Sequence, residues 1–296
     1  MPRAALLSIH ARVEGTEPTT LGDSSLVQIW GPRFSAYAVA TEDRAPFTLG
    51  RLPDDPVGRR RAITTADRLE TFLAGRRLPY GEAGRAMGVV PNSLRYAAPT
   101  GRVLMGWDGA RQPVIWTVPA PDVDPIEARL ELARRFLHVL GPGTSTSFAN
   151  WAGIRPPAAE AAFESLGDTL VPVTTPIGEA SILSRDEESF RAPNATEPGS
   201  VRLIPSGDAF FLLQGPDREL LVPDAALRAR LWTPRVWPGA LIVDGEPAGT
   251  WRRAEALVTM EPWRTLAPAE RDAVEAEAAA LPLPGLAGSI RTRWDE

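Results

Sequence analysis

The chain contains no cysteine and no lysine, and only two histidines, His10 and His138. Without thiols there is no disulfide, no nucleophilic thiolate, and no cysteine-bound zinc or iron-sulfur centre. The two histidines lie far apart in sequence, and neither reads as a metal ligand or a general base. Neither cofactor nor metal is expected, because there is no glycine-rich phosphate loop, serine-centred elbow or metal-ligand spacing. No apolar run approaches the ~18 residues that would read as a membrane span. The opening Met1-Pro2-Arg3 leads into a short apolar segment with His10 and Arg12, which lacks the pattern of a secretory signal. The default expectation is a cytoplasmic protein.

The length of 296 residues suits two to three small domains or one elaborate one, and 44% hydrophobic with 23% charged residues is ordinary for a globular chain. The net charge of −5 predicts weak overall attraction to polyanions. Distribution matters more than the sum. All 32 basic residues are arginine, the side chain best matched to planar phosphate recognition, and they cluster at Arg59-Arg60-Arg61, Arg76-Arg77, Arg134-Arg135 and Arg252-Arg253.

The stretch Ile63 to Val118 organises the rest. Thr64-Thr65-Ala66-Asp67 can cap a helix carrying Leu69, Phe72 and Leu73 at helical spacing. Pro79 suits the start of a second helix and Gly88 its end. Pro91-Asn92-Ser93 opens a third, with Leu94 inward and Arg95 and Tyr96 partly outward, before Pro99-Thr100-Gly101 stops it. Two β-like runs, Arg102 to Trp107 and Gln112 to Val118, follow around Asp108-Gly109, a hairpin signal. This is the order of a winged helix-turn-helix unit, in which the third helix would enter a major groove. Asn92, Arg95, Tyr96, Arg102 and Arg111 are then the candidate DNA contacts. The same elements serve equally well as spacers or protein-binding modules.

Elsewhere the pattern predicts a helix over Ala4 to Val13, short strands at Leu26 to Trp30 and Ala36 to Ala40, and a loop over Leu49 to Arg61. Because the first helix has no lead-in, the chain reads as starting within a longer domain. Helices are predicted over Ile126 to Leu140, from Thr144 or Ser145 to Gly153, and from Pro156 to Gly167, then strands at Thr169 to Val173 and Ala180 to Leu183. These form a second winged-helix unit, whose would-be recognition helix carries Glu160 and Glu164 and suits a structural role, since carboxylates repel phosphate. Strands are expected at Ser200 to Pro205, Ala209 to Leu213, Ala240 to Val243, Gly249 to Arg252 and Ala256 to Pro262, with a last helix over Ala267 to Leu281. The expected fold class is α+β, tandem winged-helix units with a C-terminal β-rich segment and final helix. The expected divisions are 1–60, a remnant segment; 61–121 and 122–190, the two winged-helix units; and 191–296.

Gly141-Pro142-Gly143-Thr144 with Phe148 and Trp151-Ala152-Gly153, Val201 to Pro205 with Asp208, Asp217-Arg218, and Val243-Asp244-Gly245 with Gly249 to Arg252 together resemble the AlkZ-like DNA glycosylase family. Their order and spacing cover residues 4 to about 281. The resemblance implies winged-helix units around a DNA channel, and removal of bulky alkylated purines or unhooking of interstrand crosslinks without a metal. The partner it implies is duplex DNA, alkylated or crosslinked, and the setting is DNA repair. Active members carry Gln-x-Gln or Gln-x-Asp just before the segment matching Met1 to Arg12. Here Gln28, Gln112 and Gln214 are the glutamines, and none has Gln or Asp two positions later. After Trp30-Gly31-Pro32-Arg33, where members commonly continue Gly-Thr-Leu-His, this chain has Phe34-Ser35-Ala36-Tyr37.

Hydrolysis of an N-glycosidic bond needs a group that positions water and stabilises an oxocarbenium-like sugar. Asp208 is the best remaining carboxylate for that catalytic role, against the commoner use of such an Asp to cap a turn. Arg33, Arg218 and Arg252 match family positions and are candidate phosphate contacts. Trp251 and Trp116 are candidates for base stacking, although a strand tryptophan is more often core. The rival reading is a noncatalytic winged-helix regulator or protein-interaction module.

Overall fold

The computed structural model describes residues 2–107, 112–192, 199–283, 285 and 288–295, so the Asp108-Gly109 turn and Arg111 lie outside the described residues. The protein is α+β and forms two compact units, one of residues 21–187 and one combining residues 3–20 with 188–296. Among the described residues, no helix is long and apolar enough to cross a membrane.

Helix α1 (Pro2–His10) belongs to the second of these units. The first begins with a hairpin of β1 (Leu26–Trp30) and β2 (Ala36–Ala40). Next come α2 (Arg44–Thr48), a 3-10 turn Leu49–Arg51, and α3 (Pro56–Leu73). Then β3 (Leu78–Pro79), α4 (Tyr80–Ala86), a 3-10 helix Pro91–Thr100, β4 (Val103–Gly106) and β5 (Val114–Thr117) complete a five-stranded sheet in the order β2-β1-β4-β5-β3. Helix α3 turns Ala66, Leu69 and Leu73 onto Leu94, Ala97, Val103, Met105 and Ile115, a buried core that also takes Trp30 from β1. This unit continues with α5 (Pro125–Leu140), α6 (Ser145–Ala152), α7 (Pro156–Leu166) and a hairpin of β6 (Leu170–Thr175) and β7 (Gly178–Leu183).

After α8 (Glu187–Arg191), the remaining unit is built on β8 (Val201–Ile204), α9 (Ala225–Leu231), β9 (Gly239–Val243), β10 (Glu246–Ala254), β11 (Leu257–Pro262), α10 (Pro268–Ala280) and β12 (Arg291–Trp294). The sheet runs β12-β11-β10-β9-β8, with only the β11–β12 pair parallel among the described strands. Leu7 of α1 and Val274 and Ala278 of α10 share its buried core.

Three expectations are corrected. Helix α3 starts at Pro56, with Asp55 as its cap accepting from the Gly58 amide at 2.7 Å, so within Leu49 to Arg61 only residues 52–55 are loop, between a 3-10 turn and the first helical turn and a half. An Asp cap followed by Pro outcompetes the later Thr64-Thr65 signal, and Thr65 instead bonds the Arg61 carbonyl from within the helix. The third helix is 3-10, ended by Gly101 at φ +69. Ala209–Leu212 is a 3-10 turn and not a strand, because Asp208 caps it by accepting from the Phe210 amide at 2.9 Å.

The turn before α3 is held from the side by Arg129, which is 7% exposed. Its guanidinium donates to the carbonyls of Gly50 (3.0 Å) and Leu52 (2.8 Å) and in two bonds to Asp54 (2.8 and 2.9 Å). A carbonyl in a loop has no ladder partner, and burying it unpaired is costly. Arg129→Ala is therefore expected to destabilise the protein by about 3 kcal/mol in urea unfolding at unchanged m. A loss below about 0.5 kcal/mol would show that the loop holds itself.

Candidate nucleic-acid interface

Residues 31–35 close the β1–β2 hairpin. The Gly31 amide donates to the Ser35 carbonyl at 2.9 Å, and the Ser35 amide to the Pro32 carbonyl at 3.1 Å. Both central residues sit at positive φ, Arg33 at 54° and Phe34 at 57°. That is a type I′-like turn, which normally calls for Asn-Gly. Left-handed backbone costs a non-glycine residue roughly 1–2 kcal/mol. The neighbouring α6 fixes the turn, since its end at Gly153 (φ +70) packs so closely that an added Cβ would lie 3.3 Å from the Arg33 backbone. Arg33 also donates to the Asn150 carbonyl at 3.1 Å.

Behind the turn lies Arg51, 4% exposed. It donates to the carbonyls of Ala152 (2.9 Å) and Trp30 (3.2 Å), and no carboxylate among the described residues pairs with it. Burial pulls the pKa of its guanidinium down to about 10, opposed by the nearby Tyr37 phenol, so at neutral pH it is a buried cation without a carboxylate partner among the described residues. Burial pushes the Tyr37 phenol up, despite Arg51 and Arg33 beside it, so it stays neutral. From Arg51 a chain of ring contacts runs outward. The Arg51 guanidinium lies 5.0 Å from the Phe34 centroid, Phe34 meets Tyr96 edge-on at 5.4 Å, and exposed Arg61 of α3 lies 3.9 Å from the Tyr96 centroid. Two cations thus bracket two rings.

The structure brings Arg33 and Tyr96 into this cluster, with Arg95 half-buried and Asn92 exposed on the same 3-10 helix as Tyr96. No carboxylate among the described residues pairs with Arg33, Arg61 or Arg95. Arg102 differs, because Asp67 (2.6 Å) and Glu70 of α3 clasp its guanidinium and neutralise it. Phe34, Arg51 and Arg61 were not singled out as site residues from the sequence. The arginine run at 59–61 was the available signal for Arg61. Nothing in the local sequence announces a type I′ turn made of Arg-Phe. Trp116 has its ring 4.2 Å from the Arg77 guanidinium.

The remaining candidates lie in the other unit. Asp208 is 1% exposed, capped onto the Phe210 amide and gripped by Arg12 in two bonds of 2.7 and 2.8 Å. Trp251 is 5% exposed, and its indole N–H donates to the Ile204 carbonyl at 3.0 Å within the core. Arg252 is exposed and donates to the Val236 carbonyl at 3.1 Å. Arg218 lies 4.9 Å from the Trp232 ring and 5.5 Å from the Trp237 ring, donating to the Leu213 carbonyl at 2.9 Å. Burial lowers its pKa from the usual arginine value. Among the described residues, no group of three His, Asp or Glu could hold a metal.

Every acceptor direction just named for Asp208 faces a donor, so its removal exposes what it holds. Asp208→Asn should cost about 2 kcal/mol of unfolding free energy through the loss of charged bonds to Arg12. A neutral result in the same melt would free Asp208 from that structural duty.

A family model described as DNA glycosylase AlkZ-like matches residues 1–282. No curated protein matches the chain. Among solved structures, the Streptomyces sahachiroi DNA glycosylase AlkZ is similar in fold, with a TM-score of 0.76 at 18% identity, over 99% of this chain and 88% of that one. With nearly its whole length matched by the family model, the chain belongs to the AlkZ-like DNA glycosylase family.

Proposed function

We propose that this protein is a DNA-repair protein that binds duplex DNA through the unit of residues 21–187, reading α3, α4, the Pro91–Thr100 helix and the β4–β5 pair as a winged-helix unit. The carrying observation is the Arg33, Arg51, Phe34, Tyr96 and Arg61 cluster, in which cations without carboxylate partners adjoin aromatic rings. On this reading, Asn92, Arg95 and Tyr96 face base edges or phosphates, Arg33 and Arg61 hold phosphates, and Arg102 supports α3. Arg111, Arg218, Trp251 and Arg252 are kept as lesser candidates, Trp251 through packing rather than stacking. The protein works in the cytoplasm on alkylated or crosslinked duplexes.

For excision, Asp208 is the carboxylate the sequence nominates, and Arg12 beside it would have to yield before it could orient water. A second reading, a member that recognises lesions without cutting, is favoured by that occupied carboxylate.

Duplex binding followed against salt tests the first reading. The slope of log K against log salt should fall by about 2 to 3 in the triple variant Arg33→Ala, Arg61→Ala, Arg95→Ala, and by well under one in Arg102→Ala. No binding at low salt would leave only an interaction module. Incubation with alkylated and crosslinked duplexes separates the rest: base release or unhooking supports the enzyme, and tight binding with intact lesions supports the noncatalytic member.

A further inference from the structure

Phe34 occupies a backbone state that favours glycine, at the tip of a hairpin whose conformation is over-determined by its own hydrogen bonds and by α6. Strain of this kind persists where the side chain it presents is used. The ring is half-buried, and what surrounds it is unusual for a packing residue: Arg51 lies 5.0 Å from its centroid, Tyr96 meets it edge-on, and Arg33 precedes it in the same turn. A π-face beside cations suits an unstacked nucleotide, because every nucleotide offers a ring to stack and a phosphate to pair. Arg51 is too buried to reach a phosphate, but exposed Arg33 and Arg61 flank the rings.

Resting on the duplex-binding reading above, we propose that Phe34 is the residue that stacks on a nucleobase displaced from the duplex, so that the strained turn selects DNA whose stacking is already broken. A base held in an intact stack cannot offer its face to the ring, whereas an unpaired or damaged one does so at little cost. Tyr96, with Arg61 over its ring, meets Phe34 edge-on beside it.

The test uses the full chain and two duplexes, one fully paired and one identical but for a single unpaired 2-aminopurine. The parent should bind the second about tenfold more tightly and quench its fluorescence. Phe34→Gly, which suits the left-handed backbone, should bind both duplexes alike and leave the fluorophore bright. Phe34→Leu should behave like Phe34→Gly, and Phe34→Trp should retain both preference and quenching. Preference and quenching that survive in Phe34→Gly would overturn the proposal, as would a parent that binds paired DNA without preference. A parent that binds neither duplex would overturn the duplex-binding reading itself.

Discussion

The dry guanidinium of Arg51 is the constraint on which the candidate interface rests. A charge taken out of water is costly unless it is paired. Here the compensation comes from two main-chain carbonyls and the face of Phe34 rather than from a carboxylate. The positive charge is therefore not cancelled within the described structure. Each of these partners is positioned by another element. The Trp30 carbonyl ends β1, the Ala152 carbonyl ends α6, and the turn bearing Arg51 is clasped by Arg129 from α5. Arg129 is the converse case, a buried arginine given its own carboxylate in Asp54, so it stabilises the scaffold without adding charge to the cluster.

That contrast explains how a chain of net charge −5 can present a local site for a polyanion. Arginines here divide into those answered by acids and those left open. Arg102 is answered by Asp67 and Glu70, and Arg264 by Glu270, whose carboxyl is held down to about 2 mainly by that guanidinium. Arg33, Arg51, Arg61 and Arg95 are not so answered among the described residues. The field at short range follows this division and not the total.

Much of the fold could be read from residue order. Apolar periodicity located α5, proline and glycine bounded α7, Ala- and Glu-rich composition marked α10, and β-like runs beside turn residues located β1, β2, β4 and β9, because those signals are local. The start of α3 was misread because two capping signals compete, and a Pro after Asp55 carries more weight than threonines that can bond back within a helix. Ala209 to Leu213 looked like a strand by composition, but the Asp208 cap decided otherwise. Of the residues in the candidate cluster, Tyr96 had a sequence signal in helix phase and Arg33 one in family resemblance. Phe34 and Arg51 were not, since their meaning arises from left-handed backbone and from contacts between segments far apart in sequence. The pairing of Arg102 with α3 was hidden for the same reason.

The central claim is that the open arginines and their rings form the surface met by DNA. Hydrogen exchange of the full chain with and without duplex DNA tests it most directly. Exchange of the amides in 31–36, 57–62 and 92–97 should slow, with α7, which carries exposed Glu160 and Glu164, unchanged. Tight duplex binding that leaves those three segments exchanging as in the free protein would contradict it.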